Sequence, residues 1–174
     1  MVFYSCSKSD GDSALLQGCT DLIATNYNAE AEEDDGSCTY GLTGGIWTTT
    51  NIIIDTNTSV TMMGLVIDSL SGSGTQTQTA EEAESPTSLE FLSDSTVYAI
   101  HTYDPTENDT NNYSISGNTI VIEDEDGNME LDYTVDQSSL TLSMDTSMSM
   151  SMPGPGGVTI DISMDYSLTM NLTR

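Results

Sequence analysis

Cys19 and Cys38 bracket a run rich in Asp, Asn, Glu and Gly that ends Asp34-Asp35-Gly36-Ser37. Two thiols across such a span can close a crosslink, which is how a small segment without a core holds a shape. The run also carries hard oxygens on Asp21, Asn26, Asn28, Asp34 and Asp35, a donor set that suits Ca²⁺. The other reading of the same five residues is turn capping, in which Asx side chains accept from nearby backbone amides. Glu33-Asp34-Asp35-Gly36 does not follow the alternating spacing of a known calcium loop. Zinc is disfavoured, because there is no second Cys pair and no His near the run.

Methionine supplies the second grouping. Met148, Met150 and Met152 recur at period two, and Met144, Met164 and Met170 can join them. Thioethers so arrayed bind Cu(I), form the pliable apolar wall of a pocket, or fill a core. A copper site would be better furnished with His beside it, and the one His in the chain is His101. A single His within an apparent strand makes no catalytic triad. The chain also has no Gly-x-Ser-x-Gly, no phosphate loop and no basic patch. The expectation is a protein that is not an enzyme.

The elements that must position these residues are strands. The chain has 174 residues, with 28 acidic side chains against Lys8 and Arg174, for a net charge of −26. That field repels nucleic acid and anionic membrane and attracts cations. No apolar run approaches the ~20 residues of a spanning helix. From residue 45 onward apolar and polar residues alternate, as half-buried strands do. The pattern predicts strands over 48–54 and 60–70, the latter broken by Gly64, and a flexible loop over 71–86. It then predicts a hairpin of 88–92 with 96–103, a polar loop over 104–111, and two short strands in 112–122 turning at Gly117-Asn118. Asp126-Gly127 is a strong hairpin signal between 120–123 and 129–135. Two long alternating runs, 140–152 and 158–172, flank Pro153-Gly154-Pro155-Gly156-Gly157. They predict one hairpin whose even-numbered side chains all face the core.

Three stretches resemble known types. Val2-Phe3-Tyr4-Ser5-Cys6-Ser7-Lys8 resembles the end of a bacterial lipoprotein signal, which implies a lipid on Cys6. It departs from that pattern, since an apolar stretch of ~7–15 residues should precede the site and only Val2, Phe3 and Tyr4 do. Without lipid, the segment is a tail with one free thiol. Gly18 to Tyr40, with Cys19-Thr20-Asp21 and Asp34-Asp35-Gly36-Ser37-Cys38, resembles a short module of exported proteins from marine and Bacteroidota bacteria. The resemblance implies a Cys19–Cys38 disulfide and a place outside the cytoplasm. Gly45-Ile46-Trp47, together with the order of turns after it, resembles the lipocalin-like domains of Bacteroidota lipoproteins.

That last resemblance implies an all-β fold: an up-and-down antiparallel barrel of about eight strands, with Trp47 closing one end. The expected organisation is a signal remnant and tether over 1–17, a disulfide-closed acidic module over 18–40, and the barrel over 41–174. The expected function is non-catalytic binding of a small apolar or amphipathic ligand, lined by Trp47, Phe91, Tyr98, Met148, Met150 and Met164. The alternative is a packed barrel serving adhesion or assembly at the surface. In either case the protein is expected to be exported, at the outer membrane or cell surface and touching membrane only through its lipid, or alternatively secreted.

Overall fold

The computed structural model describes residues 15–93, 95–124 and 127–174. The predicted lipidation site Cys6 and the turn residues Asp94 and Asp126 lie outside the described residues. The chain divides into two compact units between Tyr40 and Gly41.

In the first unit, β1 (Gln17–Gly18) pairs in parallel with β2 (Glu33–Asp34). Cys19 and Cys38 are joined by a disulfide, with Cα atoms 4.8 Å apart. The hydrogen bonding starts ahead of Gly18, because the Leu16 carbonyl accepts from the Glu32 and Glu33 amides. Part of the predicted tether is therefore folded into the module.

The second unit is all strand apart from short 3₁₀ turns, with no α-helix among the described residues. Its strands are β3 (Ile46–Met62), β4 (Leu65–Val66), β5 (Gly72–Gln78), β6 (Ser88–Phe91), β7 (Thr96–Ile100), β8 (Asp109–Ser116), β9 (Thr119–Asp124), β10 (Gly127–Val135), β11 (Ser139–Pro153) and β12 (Thr159–Thr173). Consecutive strands from β6 to β12 pair antiparallel. β3 then pairs with both β6 and β12, so the sheet closes on itself as a ring. The turn chemistry fits these connections. Gly117, at φ +62°, opens the two-residue loop between β8 and β9, where a left-handed first position favours glycine. The loop from β3 to β4 holds both Met63 and Gly64 at positive φ, the geometry a twisted two-residue hairpin demands.

Two departures from the predicted pattern organise the fold. The first is a register shift against β12 at Asn171/Leu172, where Thr49 and Asn51 of β3 take successive partners and Thr50 takes none. The extra residue switches parity, so odd-numbered Trp47 and even-numbered Ile52 both point into the core. The second departure is length. Strands of 15 to 17 residues reach about 50 Å at ~3.3 Å per residue. However, β10 pairs β11 only as far as Ser143, and β6 pairs β3 only at residues 46–48. Beyond those points β3, β11 and β12 continue past the ring as an extension. On that extension β4 and β5 line up along β3.

The predicted loop over 71–86 is thus partly a strand. Gly72–Gln78 has no apolar residue to signal it and exists because β3 offers a free edge. The even-numbered residues of the long hairpin face the core only inside the ring. Leu140, Leu142, Met170 and Leu172 are buried, whereas Met148, Met150, Met152 and Met164 are exposed on the extension. Period two reports which face of a strand a residue shares. It does not report whether anything covers that face.

Substitutions of one type at two places separate these environments. Leu172→Asp puts an unpaired charge in the core and should cost more than about 3 kcal/mol in urea unfolding. Met148→Asp, on the same face of the same hairpin but 60 % exposed, should stay within about 0.5 kcal/mol of wild type.

Candidate functional site

One end of the ring is filled. Trp47 is fully buried, and its indole N–H donates to the Leu42 carbonyl at 2.7 Å. The Arg174 guanidinium lies 4.3 Å from the centre of the Trp47 ring. Arg174 also donates to the carbonyls of Gln137, Gly41 and Thr43. A cation over an indole face, with donors spent on backbone carbonyls, holds this end together. Phe91 and Tyr113 meet edge to face at 5.1 Å, and the Tyr113 hydroxyl donates to the Leu92 carbonyl. Little space remains for a ligand there.

The other end holds a cavity of about 370 Å³. Leu89, Ala99, Ile122, Leu131, Leu142, Met144, Leu168 and Met170 line it, one or more from each of six ring strands, because successive inward positions on neighbouring strands fall side by side. Polar groups gather where β7 runs out and β8 begins: Ser85, His101, Glu107, Asp109 and Asn111. The imidazole Nδ1 of His101 is buried and has no hydrogen-bond partner among the described residues, although the His101 backbone N–H donates to Asn108 Oδ1 at 2.6 Å. Asp109 caps Thr110 through one oxygen and accepts from Asn111 through the other.

The electrostatics of this mouth are negative. Burial pushes the Tyr103 phenol up from its ordinary range, and the carboxylates of Glu84, Glu107, Asp104 and Glu81 push it further the same way. Tyr103 meets the His101 ring edge to face at 5.6 Å and donates to the Ser85 carbonyl. Asp104 is held below the usual carboxylate range, chiefly by hydrogen bonds from the Thr106 hydroxyl and amide.

The residues predicted to line a pocket are distributed differently. Trp47 and Phe91 belong to the filled end. Tyr98 lies between inward-facing Val97 and Ala99 and so points outward, opposite Glu90 and Thr110. Met148, Met150 and Met164 share one face of the extension. The side chains that do line the cavity were within reach of the sequence, since Leu142, Met144, Leu168 and Met170 belong to the same alternating runs. Choosing the ring half of each run needed the pairing partners.

The five oxygens considered for Ca²⁺ cap the module's own chain. Asp21 accepts from the Ile23 amide and the Tyr40 hydroxyl, and Asn26 spans Ser37 and Thr39. Asn28, Asp34 and Asp35 each accept from the amide two residues on. Among the described residues no three Asp, Glu, His or Cys side chains converge as a metal-holding group. These bonds are the turn capping of Asx side chains. Comparison of the chain with protein-family models, curated proteins and solved structures finds no match.

The Tyr103 shift has a signed consequence. Its folded pKa lies above the unfolded value of 10.0, so the folded state holds the proton more tightly. The associated stability is complete below pH 10 and falls as pH rises through the folded value. An ultraviolet phenolate titration should therefore show a late-ionising tyrosine that is missing from Tyr103→Phe.

Proposed function

We propose that this protein is a non-catalytic binder of a small apolar or amphipathic ligand, taken up inside a lipocalin-like barrel formed by the closed ring. One observation carries the reading: a cavity of about 370 Å³, enclosed by aliphatic and thioether side chains, with polar groups confined to its mouth. Ligand sites are typically concave, mostly apolar and about 300–1,000 Å³, with a few polar groups that set orientation. A ring packed solid for a purely structural role would have no use for such a space. The proposal includes export and a lipid anchor on Cys6. The Cys19–Cys38 bridge supports the export half, because structural disulfides persist in oxidising compartments.

The test is uptake of a neutral fluorescent probe, N-phenylnaphthylamine. Wild type should bind it with a blue-shifted rise in emission. Ala99→Phe, which fills the cavity from β7, should abolish uptake at a stability cost of about 1–3 kcal/mol. Met150→Ala, out on the extension, should leave uptake unchanged. Undiminished uptake by a folded Ala99→Phe variant would place the probe elsewhere.

Assembly is a second reading, favoured by the edge of β11. Beyond Ser143 that edge has no strand partner among the described residues, and residues 146–152 alternate Ser and Met after Thr146 with no charge. Unprotected, uncharged edges recruit further strands. On a chain of net charge −26, an uncharged edge lowers the repulsion that a second copy meets. An antiparallel two-fold pairing of β11 with β11 would place Met opposite Met. Sedimentation velocity should then show concentration-dependent dimers that Met150→Asp reduces to monomers.

A further inference from the structure

The polar mouth of the cavity selects a class of ligand. Its inner wall is apolar and accepts only a hydrocarbon tail. Its outer groups are of one electrical sign: Glu107 and Asp109 line the opening, and Glu81, Glu84 and Asp104 act on Tyr103 beside it. The Glu107 carboxylate accepts from no described residue, so its charge is available to a ligand. The Asp109 oxygens are engaged by neutral donors, which leaves its charge uncompensated. Arg174 is the one Arg or Lys among the described residues, and it is committed to the Trp47 end. No described Arg or Lys at the mouth can therefore neutralise a carboxylate or phosphate head. Such a head would enter against like charge with a −26 chain behind it.

The mouth also holds one unmet hydrogen-bonding atom. His101 Nδ1 is buried without a partner, and buried polar atoms in native structures are almost always satisfied. The ring nitrogen of a neutral imidazole that carries no proton is an acceptor. With the proton on the other ring nitrogen, Nδ1 calls for a donor on the ligand, and Glu107 and Asp109 line the same opening.

We propose that the cavity takes a cationic amphiphile, with an aliphatic or aryl tail along Leu142, Met144, Leu168 and Met170 and a protonated amine at the mouth, beside Glu107 and Asp109 and donating to His101 Nδ1. This rests on the cavity-binding reading above and adds the chemistry of the head group. The late-ionising Tyr103 phenol supports it, since the same carboxylates that oppose a phenolate there attract an ammonium. The hydrocarbon half gives binding, and the charge outside gives the preference for an amine head.

The experiment uses the full chain loaded with N-phenylnaphthylamine and displaced by three amphiphiles of one tail length: dodecylamine, dodecanol and dodecanoate. Dodecylamine should displace the probe at a concentration about tenfold below dodecanol, the scale of one partly screened charge pair. Dodecanoate should be the weakest. Raising NaCl to about 1 M, where the Debye length falls to ~3 Å, should shrink the amine's advantage and leave dodecanol unchanged. Glu107→Gln should cut the advantage several-fold with probe affinity retained, because Glu107 is exposed and outside the core. His101→Leu should weaken dodecylamine without loss of probe binding. Equal displacement by all three, or a preference for dodecanoate, overturns the head-group assignment while the cavity reading stands. Failure of the probe to bind at all overturns the cavity reading itself. Unchanged amine affinity in His101→Leu removes Nδ1 from the proposed head site.

Discussion

The antiparallel ladder between β12 and β3 is the interaction on which the rest of this structure depends. It runs the length of both strands and converts an open meander into a ring. Remove it, and the sheet gains two long edges and the inward faces of β3 and β12 lose their counterparts across the core. Leu140, Leu172, Ile52 and Ile120, each buried almost completely, pack only because the sheet curls back on itself. At roughly 1.5–3 kcal/mol for each large side chain removed from water, ring closure and core formation are one event. The cavity follows from the same closure, since its lining comes from strands that are neighbours only around the circumference.

The ladder continues past the point where the ring has any use for it, and that sets up the second half of the design. Inside the ring, even-numbered residues of β11 and β12 are core. Outside it, the same parity yields an exposed stripe of Met148, Met150, Met152 and Met164. The opposite face of the extension carries Asp55, Asp145, Asp161 and Asp165 among Ser, Thr and Asn. There Asn57 donates to Asp165, and Ser151 to Asp161, across strands. Those cross-strand bonds, like the Asx caps of the disulfide module, use the acidic residues as local acceptors. No polar or charged side chain among the described residues is fully buried. The charge of the described residues is therefore carried at the surface, where solvent and counterions screen it.

The two ends of the ring divide the work. At one end Trp47, held by the Leu42 carbonyl and covered by Arg174, closes the interior with a rigid aromatic and the described chain's one cation. At the other the side chains are smaller or more pliable, Ala99, Met129, Met144 and Met170, and they leave space. Met adapts to irregular volumes at little cost in strain. Placing it at the open end and the large aromatics at the closed end gives one interior two properties.

A strand-rich fold, the turn at Gly117-Asn118, the long Pro-Gly hairpin and the Cys19–Cys38 bridge were all legible in the residues, because each rests on local rules: period two, turn chemistry and paired thiols. The Met stripe was legible as a stripe. What its residues face was not, because a strand's alternation is identical whether a second layer covers it or water does. The β5 strand Gly72–Gln78 was invisible, since it has no apolar face and borrows its geometry from β3. Trp47 and Ile52 sharing the core contradicts strict alternation and needs the register shift at Asn171/Leu172. The cavity residues, and the convergence of Glu107, Asp109 and His101 at its mouth, were decided by ring closure alone. The sequence by itself determined which residues lie on which face of each strand. The tertiary structure decided which faces have something opposite them, because burial depends on partners that are distant along the chain.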